Sequence, residues 1–211
     1  MPTKLVRGFG INDVEYVIQK KESKIVDGKR KQKTIWVCPY YEKWQQMLVR
    51  CYDKKYQNKY PTYKDCTLHP SWLYLSNFKA WVDEQPNKDW MSCNLDKDLL
   101  VEGNKHYSPS TCVFVDKKVN SFIIDGAAKR GKHMLGVCWN KRDLCYVSRC
   151  SDPFKTESGY LGYFDSELEA HLTWKRKKCE YACKLADLQR DERVANALRT
   201  KYASNNDLTC K

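Results

Sequence analysis

The chain has 211 residues, with 38 Lys and Arg against 26 Asp and Glu, a net charge of +12. An apolar fraction of 42% and an aromatic fraction of 13% suffice for a core, which excludes a disordered basic tail. No stretch approaches the roughly 20 apolar residues of a membrane span, and no apolar run opens the chain, so neither a membrane nor a secretory role is expected. The commonest partner of so many cations is a polyphosphate, because each neutralised phosphate releases condensed counterions. Eleven cysteines, an odd number without a leader, point to reduced thiols rather than a disulfide framework. The charge is uneven: residues 1–64 hold 15 cations against 6 anions, residues 65–126 hold 6 against 9, and the rest is basic again. Carboxylates gathered between basic flanks suit a metal-assisted phosphodiesterase, and solvated loops give the same pattern.

Residues 1–36 read as a basic arm, mobile or weakly ordered, with one short strand from Glu15 to Ile18 and the run Lys29, Arg30, Lys31, Lys33. From Tyr40 the spacing turns helical: Tyr40, Trp44, Met47, Leu48 and Cys51 form an apolar face. A loop follows from Asp53 to Lys64, and then a second helix carrying Trp72, Leu75, Phe78, Trp81 and Val82, whose aromatics are read as core. Residues 94–126 read as a strand (Asn94 to Leu100), a loop, a strand (Cys112 to Val115) and a helix (Asp116 to Phe122). Gly126 to Gly131 is the expected boundary between a domain over 37–126 and one over 127–211. Beyond it three alternating strands are expected, Gly136–Trp139, Cys145–Cys150 and Tyr160–Phe164. Ser166 and Glu169 form a capping box that opens a long helix, and a shorter one runs from Glu192 to Tyr202. The fold class is therefore α+β.

The order of Asp96 to Asn120, strand, loop, strand and helix, resembles the HNH or ββα-metal nuclease motif. That resemblance implies one Mg²⁺ or Mn²⁺ held by Asp96 and Asn120 against a scissile phosphate, with a base at the end of the first strand. Lys97 stands in the place of the general-base histidine and Thr111 in that of the central loop asparagine. A protonated lysine is a poor base, so Lys97 reads as a phosphate clamp, and His106 is the candidate to reach the site instead. The catalytic set is thus Asp96, Lys97, His106 and Asn120, with Asp96 and Asp98 as two solvated surface carboxylates the competing reading. The longer order Trp44-x-x-Met47-Leu48-x-Arg50-Cys51, Pro61-Thr62-Tyr63, Trp72 to Trp81, LDKD, GNK and YSPSTC resembles phage-encoded HNH homing endonucleases over about residues 38–123.

Gly136-Val137-x-Trp139, Cys145 to Arg149, Leu161-Gly162-Tyr163-Phe164 and Glu169-Ala170-His171 together resemble the DNA-binding domain of plant ethylene-response (APETALA-type) factors. The resemblance implies a three-stranded sheet in the major groove, backed by a helix. Arg130, Lys132, Trp139, Lys141, Arg142, Tyr146 and Arg149 are the expected DNA contacts, with Tyr146 and Arg149 sharing a face if a bulge intervenes. Leu161 to Phe164 is assigned mainly to packing on the helix through Leu168 and Leu172. The two resemblances imply an endonuclease that hydrolyses duplex-DNA phosphodiesters in the cytoplasm of a bacterial host. The alternative is a degenerate DNA-binding or host-interaction protein on the same scaffold, with a host protein as partner. No tight CxxC pair exists, so the cysteines are expected as buried thiols in preference to a structural zinc site.

Overall fold

A computed structural model describes residues 5–27, 29–124 and 131–203. The chain divides into two compact units, residues 1–114 and 115–211. The division falls between Phe114 and Val115, ahead of the boundary expected at Gly126 to Gly131, and residues 125–130 lie outside the described part.

Three α-helices frame the described part of the first unit. Helix α1 (Pro39–Tyr52) starts with proline in its first turn, where a missing N–H costs nothing, and buries Tyr41, Trp44, Met47, Leu48 and Cys51. Helix α2 (Lys54–Lys59) occupies the expected Asp53–Lys64 loop, because the Asp53 carboxylate accepts the Tyr56 N–H and caps it. Helix α3 (Leu75–Glu84) buries Leu75, Phe78, Trp81 and Val82 against the same core. The Trp44 ring N–H donates to the Trp72 carbonyl at 2.7 Å, so this indole is core with its polar handle satisfied.

The N-terminal residues depart from a loose arm. Ile11 donates to the Leu73 carbonyl and accepts from Leu75, and the Asp13 carboxylate accepts the Ser76 N–H at 2.9 Å. Gly10 lies so close to Trp44 and Leu48 that a Cβ there would meet them at 2.5–2.7 Å. After this anchor, strands β1 (Gln19–Val26) and β2 (Lys29–Val37) pair antiparallel with each other alone. The physical reason is the Asp27-Gly28 dipeptide after the β-branched Ile25 and Val26, a hairpin signal that the basic run following it obscures. Asp27 has φ of 52°, as a tight hairpin turn requires. Strand β3 (Thr67–Leu68) pairs in parallel with β5 (His106–Tyr107), and β4 (Asn94–Asp96) pairs with β6 (Val113–Val115).

The second unit opens with helix α4 (Lys117–Ile123), capped by the Asp116 carboxylate on the Val119 N–H. Strands β7 (Val137–Asn140), β8 (Cys145–Arg149) and β9 (Tyr160–Phe164) form an antiparallel sheet in that order. Helix α5 (Glu167–Ala186) begins where Ser166 accepts the Glu169 N–H, as the capping box predicts, and helix α6 (Glu192–Lys201) packs on it through Val194, Ala195 and Leu198. The Ser148 hydroxyl donates to the Ala170 carbonyl at 2.8 Å and fixes which face of the sheet meets α5. The mixed helix-and-strand class and the three-stranded sheet beside a long helix match the sequence reading.

Lys178 on α5 donates to the Phe122 carbonyl at 2.6 Å, with its ammonium 3.6 Å from the Phe122 ring centroid. Burial brings its pKa down to about 8. Between that value and the ordinary lysine value the native state holds fewer protons than the unfolded one, so stability gains with rising pH. Denaturant titrations of wild type and Lys178→Met should therefore show the difference moving in favour of wild type from pH 8 to 10. A pH-independent difference would show that this ammonium titrates as in water.

Candidate functional site

Residues 94–115 fold around Asn104. Its amide donates to the Lys97 carbonyl at 2.6 Å and the His106 carbonyl at 2.7 Å, and its Oδ1 accepts the His106 N–H at 3.0 Å. Lys97 closes the same loop from inside: its ammonium donates to the Asn104 carbonyl at 2.8 Å and pairs with Asp98 at 3.0 Å. Only 8% of the Lys97 side chain is exposed, so the ammonium serves this loop before any phosphate. Lys97→Met leaves the Asn104 carbonyl without its donor and should cost about 1–3 kcal/mol in urea denaturation. An unchanged midpoint would free Lys97 for the clamp role that the sequence suggests.

Asp96 ends β4. Its Oδ1 accepts the N–H groups of Asp98 at 3.0 Å and Leu99 at 2.7 Å, which turns the chain back after β4. Burial, and then the Asp98 carboxylate beside it, push the Asp96 carboxyl above its ordinary value. Two neighbouring carboxylates are hard oxygen donors of the kind Mg²⁺ takes, a cation that binds through one or two carboxylates and keeps several waters. They are the donor type that the metal implied by the HNH resemblance would take, although Asp98 also pairs with Lys97 at 3.0 Å. Among the described residues no three His, Cys, Asp or Glu side chains gather as a metal group. Asn120, the other implied ligand, is on α4 in the second unit.

His106 stands on β5 with Nδ1 2.8 Å from the Thr67 hydroxyl, and its ring centroid is 6.2 Å from that of His69. Asn104 thus links Lys97 and His106 directly, and the first unit brings three of the four expected catalytic residues, Asp96, Lys97 and His106, onto one loop system. Arg50 of α1 supports it from behind, with its guanidinium 3.3 Å from the Leu95 carbonyl and 3.4 Å from the Tyr107 hydroxyl. Sequence reasoning missed Asn104, Thr67 and Arg50. A Gly-Asn pair reads as a plain turn, and the other two come from distant chain segments. Burial raises the thiols of Cys51 and Cys112 to about 12, which keeps them protonated and unreactive.

In the second unit the sheet register reassigns the faces. Tyr146 and Ser148 are two apart and share the side that meets α5, and Trp139 pairs with Tyr146, their rings 4.8 Å apart. The irregularity lies in β9, where Ser148 faces Gly162 while Arg149 faces Tyr160. The extra residue is Leu161, so Arg149 takes the side opposite Tyr146, which corrects the expectation that these two point outward together. The outer side instead carries Arg149 with Tyr160 and Tyr163, whose rings are 5.5 Å apart and which are 41% and 57% exposed. Arg149 lies over the Tyr160 ring at 6.0 Å. Within 161–164 the exposed Tyr163 departs from the expected helix packing, and Leu168 and Leu172, the expected helix partners, are 55% and 50% exposed. Lys132 and Lys141 are exposed, Arg142 is ion-paired with Asp143 at 2.9 Å, and Arg130 lies outside the described residues.

Among the described residues nine cysteines stand outside disulfides, seven buried, Cys145 half-buried and Cys138 exposed, whereas Cys183 is disulfide-bonded where a reduced thiol was expected. No helix among the described residues is long and apolar enough to cross a membrane. No protein-family model, curated protein or solved structure matches this chain.

Proposed function

We propose that the chain is a DNA endonuclease of the HNH type, hydrolysing duplex-DNA phosphodiesters with one Mg²⁺ or Mn²⁺. The observation that carries the reading is the desolvated Asp96 carboxylate at the end of β4, beside Asp98, on a loop that Asn104 holds in place. A loop braced by three side-chain hydrogen bonds keeps its carboxylate in one position, which is what a phosphate held for in-line attack demands. Asp96 would hold the cation; Asn120, the other ligand that the resemblance implies, belongs to the second unit. The cation, when bound, neutralises charge developing on the phosphoryl oxygens. His106 would be the base: in the tautomer whose Nδ1–H donates to the Thr67 hydroxyl, Nε2 carries the lone pair that can take a proton from water. Arg149, Tyr160 and Tyr163 on the sheet's outer side are the second unit's contacts to duplex DNA.

The burial of Lys97 favours a second reading, DNA binding without cleavage, since the residue in the base's place is committed to its own loop. Plasmid DNA incubated with the protein in Mg²⁺, Mn²⁺ or EDTA separates the two. Nicking that needs the cation supports the endonuclease. Duplex binding with intact plasmid under every cation supports the second reading.

A further inference from the structure

Among the described residues no third strand pairs with the β1–β2 ribbon, and its described residues from Lys20 to Trp36 are all exposed. An isolated two-stranded hairpin is marginal in water, and this one carries a further cost. Along one side the cross-strand pairs are Lys20 with Trp36, Glu22 with Lys33, Lys24 with Lys31 and Val26 with Lys29. Five lysines therefore share that side with a single glutamate, and Lys24 faces Lys31 directly. Like charges placed opposite each other destabilise a sheet. The other side adds Lys21 and Arg30, together with Ile25, which is 80% exposed. Among the described residues the ribbon's one ion pair is Lys24 to Glu22 at 3.5 Å.

We infer that the β1–β2 ribbon is a second DNA-contacting element, which enters the major groove of duplex DNA with its five-lysine side on the phosphates. The inference rests on the DNA-directed reading above but places its contacts on residues apart from Asp96 and from the β7–β9 sheet. Charge complementarity names a polyanion, and shape narrows the class. Eight paired residues at about 3.3 Å each span about 26 Å, and the roughly 12 Å major groove of B-DNA admits a two-stranded ribbon. The deep, narrow major groove of duplex RNA does not. Single strands are bound on rows of stacking aromatics, and the ribbon offers Trp36 alone. Ile25 near the tip supplies an apolar surface of the kind that meets thymine methyl groups.

The test uses the full chain in EDTA, where no cleavage enters, with fluorescence anisotropy on a 30-base-pair DNA across a salt series. Lys24, Lys29, Lys31 and Lys33 changed together to Gln should weaken binding at least tenfold at low salt. The slope of log K against log salt should become shallower by about 3.5, at roughly 0.9 per phosphate contact. Glu22→Lys, a single exposed change, should strengthen binding and steepen the slope, and it decides the matter if the fourfold variant does not fold. Methyl green, a major-groove ligand, should compete with the protein, and distamycin in the minor groove should not. Unchanged affinity and slope in both variants, or equal affinity for duplex RNA or single-stranded DNA, overturns the inference. Loss of plasmid nicking with the ribbon effects intact overturns the endonuclease reading alone.

Discussion

Asp96→Asn should abolish cation-dependent nicking while leaving the protein folded and at least as stable as wild type. The amide keeps an oxygen where Oδ1 accepts the Asp98 and Leu99 N–H groups, so the turn after β4 survives. What disappears is the negative charge that burial and Asp98 disfavour. A carboxyl whose folded pKa is raised binds more protons in the native state than in the unfolded one. Native stability therefore falls as pH rises through that range, and ionised Asp96 is a liability at neutral pH. The stability advantage of Asp96→Asn should accordingly grow from about pH 4 upward and level off once Asp96 is fully ionised. Loss of an anionic ligand should slow nicking by at least about 10²-fold, the scale of one missing charge-stabilising contact in a transition state. Mg²⁺ should raise the thermal midpoint of wild type and not of the variant, since only a ligand of the native state stabilises it. Nicking that persists in Asp96→Asn would remove the cation from Asp96.

The sequence made the helices legible because their apolar spacing is local and strong. Trp44, Met47, Leu48 and Cys51 on α1, and Phe78, Trp81 and Val82 on α3, are buried as their periodicity requires. The Ser166 capping box marked the start of α5, and the three strands before it fell within a residue or two of their expected places. The β1–β2 ribbon was hidden because lysines at alternating positions look like a solvated run, and only the Asp27-Gly28 dipeptide marks the reversal. Around Asp96 the residue types were visible and their wiring was not. That Asn104 ties Lys97 to His106, and that the Lys97 ammonium turns inward, depends on how a turn of eight residues closes on itself. The sheet faces were illegible for a different reason. A one-residue bulge at Leu161 shifts Tyr160 onto the side of Tyr163, and alternation read along the chain has no access to register.

Gly136→Ala should unfold or severely loosen the second unit, whereas Gly103→Ala should be mild, although both glycines have positive φ. Gly136 has φ of 77° and Gly103 has φ of 72°, so either substitution incurs the left-handed penalty of about 1–2 kcal/mol. Space separates them. A Cβ on Gly103 meets nothing within 4 Å, whereas one on Gly136 lies 2.0 Å from Cγ and Cδ1 of Trp174. Those are ring atoms close to the α5 backbone, and they cannot yield as the end of a flexible chain would. The Gly136 carbonyl also accepts the Arg149 N–H at 2.8 Å, so a shift at position 136 strains the pairing of β7 with β8. Overpacking and strain together should bring the cost to about 3–5 kcal/mol, at the severe end for single changes. Denaturation followed by near-ultraviolet circular dichroism should show the Gly136 variant losing its transition early and the Gly103 variant close to wild type. Gly136→Ala combined with Trp174→Ala should recover part of the loss if the indole is the obstacle. Equal effects of the two single changes would mean that backbone strain alone decides, and that the Gly136–Trp174 contact does not set the register presenting Arg149, Tyr160 and Tyr163.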